Sequence, residues 1–503
     1  MKKNIYILFI SLCSTVFAMA QTHEDALRYS QNIYEGTARF QGMGGAFAAL
    51  GGDFTTLSIN PAGVAVFRSS EFSITSTLAL LSSSGTYLGN RTSESNPRVG
   101  IGNAGWVSSF YTNNTSGVVG FNFGIGFNKL QNNPQRFSAH GRTGETSLPR
   151  ALAFGLDGLQ HSAFENDATN TEWLAMKTGL IHYIDKKSDG TPIDGSYIGA
   201  TEDFDAVNPD DLNKIYQMGD VNQSYYCNQT GHVGEYVFNF GLNVSHKFYF
   251  GMTFGLQDIA NDFYEEYAED AVNYADFNST GYRGLVRESS IYTDGVGYNV
   301  KFGVIARPVG GLRVGAYIHT PTWMFLRNTW SEKMTSDING AKSTESVEGH
   351  DDYRITTPAR WGVGLAYTFG AAALLSVDYE GVNYTRTRLS NEHGATGIFQ
   401  DNNNLLKQDC RTATNIRVGG EYKIGDFAVR AGYAWYQNAR KDFSDTHIGS
   451  AGFGYRGRFF SADAAYSFAP GVKENYVIYN GNPDLTALDV FTGKFMVTIG
   501  FRF

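Results

Sequence analysis

The feature that most restricts this chain is a two-residue rhythm with an unusual division of faces. In the last run, Phe491, Gly493, Phe495, Val497, Ile499, Phe501 and Phe503 share one face of an extended strand, and Thr492, Lys494, Met496, Thr498, Gly500 and Arg502 share the other. The split recurs in Tyr236–Val244, in Trp361–Phe369 with Arg360 on the polar side, and in Phe427–Trp435. A soluble sandwich also alternates, so periodicity alone does not choose between water and lipid as the solvent of the apolar face.

Connection lengths separate the two. Tight joints fall near Asn113–Ser116, His246–Lys247, Pro308–Gly311, Gly370–Ala371, Gly425–Asp426 and Arg456–Gly457. Between them lie polar stretches at about 82–103, 131–232, 259–295, 331–351, 389–410, 438–448 and 469–489, which read as long loops. Short and long joints in strict turn are how an outer-membrane barrel is strung, and the count gives an all-β fold, a transmembrane antiparallel β-barrel of about fourteen strands over 70–503. Phe503 at the end resembles the terminal signal read by barrel-assembly machinery. Gly 58, Tyr 30 and Phe 36 against Pro 11 suit antiparallel strands with aromatic girdles.

The start reads as an export signal over 1–20. Lys2 and Lys3 precede the apolar Ile5–Val16, and Ala18-Met19-Ala20 offers cleavage after Ala20. Cleavage leaves Cys227 and Cys410, for which pairing in an oxidising compartment is one option. A formal net charge of -9 argues against nucleic acid as a partner.

Residues 21–69 break the rhythm. Within them "GMGGAFAALGGDFTTLSINPAG" invites a nucleotide-loop reading, but no buried strand precedes the glycines and no Gly-Lys-Ser/Thr follows. Small residues, with Gly42, Gly44 and Gly45 foremost, instead suit a helical plug packed inside the barrel, and Asn60-Pro61-Ala62 reads as a capped helix start. The stretch "GTARFQGMGGAFAALGGDFTTLSINPAGVAVF" resembles the N-terminal hatch of the FadL/TodX family of outer-membrane transporters for long-chain fatty acids and other hydrophobic compounds, and "GLRVGAYIHTP", "TPARWGVGLAYTF" and "LLSVDYEGVNYTR" are similar to that family's strands. The resemblance implies a fourteen-stranded barrel in the outer membrane plugged by the hatch, with Gly42, Gly44, Gly45, Asn60, Pro61 and Ala62 in hatch positions, and with a hydrophobic ligand held in the lumen and released sideways to membrane lipid.

Two sets of lumen residues are candidates. Gly120, Gly124 and Gly126 leave the inner side of one strand nearly bare, which suits either a lateral opening or room for the plug. Lys301, Arg360 and Arg417 fall on polar faces, where they serve a ligand head group or brace the barrel by pairing with Glu421, Asp378 or Asp463. His23, His232 and His319 are available to a haem-capture reading, though no two have ligand spacing. The loops 131–232 and 259–295 suit a protein partner in secretion or surface assembly. No Gly-x-Ser-x-Gly elbow supports a hydrolase, and neither an enzyme nor a cofactor is expected.

Overall fold

The computed structural model describes residues 22–132, 134–160, 171–184, 196–203 and 217–503; the export segment 1–20 lies outside them. The strands are β1 (Glu71–Tyr87), β2 (Asn90–Tyr111), β3 (Val118–Asn132), β4 (Gln135–Thr143), β5 (Ile181–Tyr183), β6 (Tyr197–Gly199), β7 (Val221–Val244), β8 (Phe248–Ala271), β9 (Tyr282–Ala306) and β10 (Leu312–His319). They continue as β11 (Trp323–Ile338), β12 (Ala341–Thr356), β13 (Arg360–Phe369), β14 (Ala373–Asn383), β15 (Arg388–Asn391), β16 (Thr412–Ile424), β17 (Phe427–Tyr436), β18 (Thr446–Arg456), β19 (Phe460–Tyr476) and β20 (Thr486–Arg502).

Fourteen of these close a ring of antiparallel neighbours: β1, β2, β3, β7, β8, β9, β10, β13, β14, β16, β17, β18, β19 and β20. The seam joins the two ends of the barrel chain, from Glu71 opposite Arg502 to Thr86 opposite Ala487. All six tight joints expected from sequence lie at one end of the barrel. The apolar faces point outward: Phe248, Phe250, Met252, Phe254 and Leu256 of β8 are exposed, as are Phe495, Val497, Ile499 and Phe501 of β20. Exposed Tyr236, Tyr298, Trp323, Trp361 and Tyr379 rim this band on the long-connection side, and Trp106 stacks on Phe503 near the other.

Four of the stretches read as long loops, 82–103, 259–295, 331–351 and 469–489, are mostly strand. β8 runs for 24 residues, whereas a tilted strand crosses the hydrocarbon in about ten. Its outer half, with Asp258, Asp262 and Glu266 on the outside, stands in water beyond the membrane. The β1–β2 hairpin likewise continues to a turn at Leu88-Gly89. Prolines mark the level where the wall changes character. β10 and β11 both pair with β9 and are separated at Pro321, and their partners β13 and β12 are separated at Pro358, where each ladder loses a donor.

The hatch runs down the lumen. Helix α1 (His23–Ser30) starts at the outer end, where the His23 amide donates to Asn402 Oδ1 (3.1 Å) and Glu24 pairs with Arg440 (3.0 Å). Helix α2 (Ala38–Gly42), capped by Thr37, leads into a turn in which Gly44 (φ +60°) and Gly45 (φ +76°) adopt a conformation that L side chains rarely take. Asn60 caps the 3₁₀ turn Pro61–Val66 by accepting from the Ala62 amide (3.2 Å), and this turn hands the chain to β1.

Wall glycines receive the hatch. A Cβ on Gly44 would stand 2.6 Å from the Tyr433 amide nitrogen, and in return Gly432 and Gly419 leave space for Met43 and Gly44. Gly315 and Gly364 receive Ala48-Ala49, Gly251 receives Pro61-Ala62, and Gly303 receives Asn60. Gly303→Val therefore drives a side chain into the Asn60 carboxamide. The expected outcome is a barrel that still shifts on heating in gels but has a displaced hatch, read as new protease cleavage between Ala46 and Val66 and as leakage of small hydrophilic antibiotics.

Candidate functional site

Polar groups around the whole circumference hold the hatch. Thr498 Oγ1 accepts from the Ala38 amide (2.7 Å), and Asp378 Oδ2 accepts from the Ala48 amide (2.8 Å). Arg313 donates to Leu50 O (2.6 Å), Thr253 to Leu57 O (2.8 Å), and His319 Nε2 lies 2.6 Å from Ile59 O. Buried backbone groups without helix or sheet partners need such bonds. They come from opposite sides of the wall, so the plug is held around its circumference.

The three candidate cations belong to this bracing. Lys301 pairs with Glu235 and donates to Ser58 O (3.0 Å). Arg360 and Arg417 each lie 3.5 Å from Glu380, which also accepts from Tyr317 (2.7 Å) and Asn415 (2.8 Å). Of the carboxylates expected to brace the lumen, Glu421 joins Arg39 of the hatch (3.1 Å) to Arg430 (2.7 Å), Asp463 meets Arg430 (2.7 Å), and Asp378 holds the hatch backbone. Parity puts Glu235 on the polar face of its strand, but neither it nor Glu380 stood out in the sequence as a partner, because pairing depends on register between strands.

The remaining candidates are dispersed. His23 begins α1, His232 meets Asp258 (3.2 Å) on β7 and β8, and His319 is buried against the hatch, so the three do not converge. Cys227 and Cys410 are both free thiols, buried in different apolar cores, so the sequence-level option of a disulfide is not realised. Each is enclosed by its own packing.

Gly120, Gly124 and Gly126 lie where β3 is hydrogen-bonded on both sides, facing Tyr111, Val107 and Gly105 of β2 and Asn243, Asn239 and Val237 of β7. Gly124 makes room for Leu57, and Gly126 together with Gly105 makes room for Phe54. These two glycines of β3 leave room for the plug, whereas a Cβ on Gly120 would meet Phe110 O and the Tyr111 ring of the neighbouring strand. The wall opens higher up the same strand.

Pairing of β2 with β3 ends at Asn103 opposite Asn128, whose carboxamides are hydrogen-bonded to each other. Beyond that point β2 stays with β1, and β3 stays with β7 as far as Asn132 opposite His232. Higher still, β4 closes the gap from inside, where Ser83 and Thr92 donate to the Arg136 and Ser138 carbonyls. The result is a window bounded by Arg98–Gly100 on one side and Lys129–Asn132 on the other, opening into a cavity of about 310 Å³. The hatch stands behind it: the Glu35 amide donates to Lys129 O (3.0 Å), and the Glu35 carboxylate is held by Lys494 (2.6 Å) with Lys129 at 3.9 Å.

Above the window the lumen is filled. Helix α3 (Leu148–Leu156), capped by Ser147, and the helix Thr171–Lys177 pack Leu148, Leu152, Leu156 and Leu174 against Phe137, Tyr225, Tyr267 and Tyr282 from the inner faces of the strand extensions. Glu269, buried among them, accepts from the Leu148 amide (3.1 Å), Tyr267 (2.7 Å) and Tyr282 (2.8 Å). The described parts of 131–232 thus turn inward as a lid. The window thus lies between the lid above and the hatch below.

Comparison with known proteins agrees with this architecture. The Pseudomonas putida toluene transporter TodX superposes with a TM-score of 0.53 at 14% identity, over 93% of this chain and 98% of that one. This chain has the fold of the FadL/TodX barrels. A Pseudomonas aeruginosa FadL homologue gives 0.53 at 13% identity (93% and 98%), and the monoaromatic hydrocarbon channel CymD gives 0.51 at 11% (93% and 97%). No protein-family model and no curated protein sequence matches the chain.

Two predictions follow from the buried charges. Glu380→Gln keeps the shape of the side chain but strips Arg360 and Arg417 of their counter-charge, at a cost of about 3–5 kcal/mol; the midpoint of the heat-induced gel shift should fall, with the barrel still assembled. In the lid, burial pushes the Glu202 carboxyl up to about 7 from 4.5, against the opposing effects of the Gly199 amide (2.8 Å) and Arg150 (3.5 Å). A carboxyl raised by folding stabilises the lid fully below pH 4.5, and that stability is lost as pH rises through about 7. Protection factors for amides 197–202, corrected for intrinsic exchange, should drop between pH 5.5 and pH 8, and Glu202→Gln should abolish the drop.

Proposed function

We propose that this protein is an outer-membrane uptake channel that carries hydrophobic small molecules, long-chain fatty acids among them, into the lumen and releases them sideways through the window between β2 and β3. The observation that carries the reading is the interruption of an otherwise closed ladder, beside a cavity, with the axial route plugged at both ends. Release works by transferring apolar area to the bilayer, at ~25 cal/mol per Å², and requires no chemistry on the cargo. TodX is a toluene transporter and CymD a monoaromatic hydrocarbon channel, which supports a hydrophobic cargo and a non-enzymatic role.

In this reading the plug need not leave the barrel. The segment Glu35-Gly36 stands directly behind the window, and displacing it opens the path while the turn at Gly42, Gly44 and Gly45 and the Asn60-Pro61-Ala62 cap stay seated. The export signal at 1–20 with cleavage after Ala20, and insertion by barrel-assembly machinery acting on the strand that ends at Phe503, belong to the same proposal.

The test is uptake of labelled long-chain fatty acid and of toluene by cells with the intact protein, without it, and with Gly100→Trp. A Cβ at Gly100 meets only the Lys129 amine, the end of a flexible side chain, at 3.1 Å, so the substitution starts without a backbone clash and puts an indole at the window. Uptake should depend on the protein and fall to background in the variant. Equal uptake with and without the protein rejects transport, and full uptake by Gly100→Trp rejects the sideways route.

A further inference from the structure

On the far side of the barrel from the window, the outer face carries a group of cations that neither the hatch nor the lumen uses. Above the outer aromatic rim, β14 ends at Asn383, and the chain passes through the 3₁₀ turn Tyr384–Arg386 into β15. Asn383 caps the turn by accepting from the Thr385 amide (3.2 Å), and Tyr384 is buried in the core that also holds Leu389 and Leu406. With those three anchored inward, their neighbours Arg386, Arg388 and Lys407, the last from the helix Gln400–Asp409, turn outward. Together with Asn383 and Thr385 they line an open cavity of about 590 Å³.

Among the described residues, none of these three cations has a carboxylate at ion-pair distance, and no acidic residue lines the cavity. Elsewhere on the strand extensions the outer cations are paired: Arg327 with Asp352, Lys333 with Glu288 and Arg142 with Asp220, each at 2.7 Å. In a chain of net charge -9, a cluster of unpaired positive charge is an exception. It is also held in place. Arg388 Nη1 donates to the carbonyls of Thr385 (2.8 Å) and Thr387 (2.7 Å), which fixes its guanidinium beside the cavity. Arg354 extends the cluster along the same face, since it stands opposite Ser390 in the β12–β15 ladder and lies over the Phe325 ring (4.6 Å).

Height decides what such a cluster meets. A Cβ on Gly381 would stand 2.8 Å from the Trp361 ring, so this indole of the outer rim lies level with Gly381, and Asn383 follows two residues later. Directly below is the lipid-facing band, where Val363, Val377 and Tyr379 are exposed. Cations just above an aromatic rim are level with the lipid head groups, and guanidinium groups match phosphate oxygens with paired, charge-assisted hydrogen bonds. We propose that this cavity binds a phosphorylated lipid of the outer leaflet, Arg386, Arg388 and Lys407 receiving its phosphate while its acyl chains lie along Val363, Val377 and Tyr379. The site belongs to the outer wall and does not depend on what the lumen carries.

The experiment titrates the purified full-length barrel, in a non-ionic detergent, with diphosphoryl lipid A and with the same lipid stripped of its phosphates, and reads bound lipid by native mass spectrometry. The intact protein is compared with the double variant Arg386→Gln/Lys407→Gln, with Lys407→Arg, and with Lys333→Gln as a cation removed elsewhere, each checked for the heat-induced gel shift. The intact protein should favour the phosphorylated lipid, and the double variant should bind it about tenfold more weakly, the scale of losing charge-assisted hydrogen bonds. Lys407→Arg and Lys333→Gln should keep the intact affinity. Equal binding of the two lipids, an unchanged double variant, or an equal loss in Lys333→Gln overturns the assignment. Displacement of the lipid by an equal concentration of inorganic pyrophosphate rejects a lipid ligand in favour of free phosphate.

Discussion

A strand in hydrocarbon needs a neighbour on each side, because lipid offers nothing to an open N–H or C=O. The ring of fourteen strands satisfies this within the apolar band, and the consequences reach into every other part of the molecule. The sheet closes on itself at β1 and β20, so the rest of the chain must lie inside the barrel or beyond the membrane. The one place where β2 and β3 part company is just above the outer aromatic rim, and there the hatch supplies a replacement: the Glu35 amide bonds to the carbonyl of Lys129, whose strand has lost its β2 partner. A gap in a membrane wall is tolerated where its edge faces a polar cavity, and this edge does.

Filling the closed ring is the second constraint. Side chains on both sides of the interface would hold the hatch several ångströms from the wall, so the wall gives up its side chains where the hatch comes closest. Gly432 faces Gly44, Gly251 faces Pro61, and Gly303 faces Asn60. Backbone approaches backbone, and serine, threonine, aspartate and arginine side chains from neighbouring positions then reach the orphan groups of the plug. The glycines of the wall and the small residues of the hatch thus describe one surface from its two sides.

Most of this architecture was legible in the sequence, and the exceptions share a cause. Where lipid lies outside and the hatch inside, as along Phe427–Trp435, hydrophobicity alternates and the strands declare themselves. Above the membrane the outer face meets water and the inner face mixes apolar lid contacts with polar groups, so β8 reads Asp258, Asn261, Asp262, Glu265, Glu266 without contrast and passes for loop. The hatch cap at Asn60 was readable because capping is local. The window was not, because it consists of pairing that stops, and pairing leaves no mark in one strand's composition: Gly120, Gly124 and Gly126 drew attention while Lys129, one turn of the pleat beyond them, carried the opening. Lys301, Arg360 and Arg417 were visible as lumen cations, but their partners Glu235 and Glu380 come from other strands and depend on register.

The course of the N-terminal segment also bears on how the molecule is put together. It begins at the outer end, beside Asn402 and Arg440, descends through the lumen, and only then enters β1, which is sealed to the last strand of the chain. Once that seam is bonded, placing α1 would mean threading nearly fifty residues up the closed barrel to the contacts at its outer end. The fold thus encloses its own N-terminal segment, and the pairing of the first and last strands is the clasp that retains it.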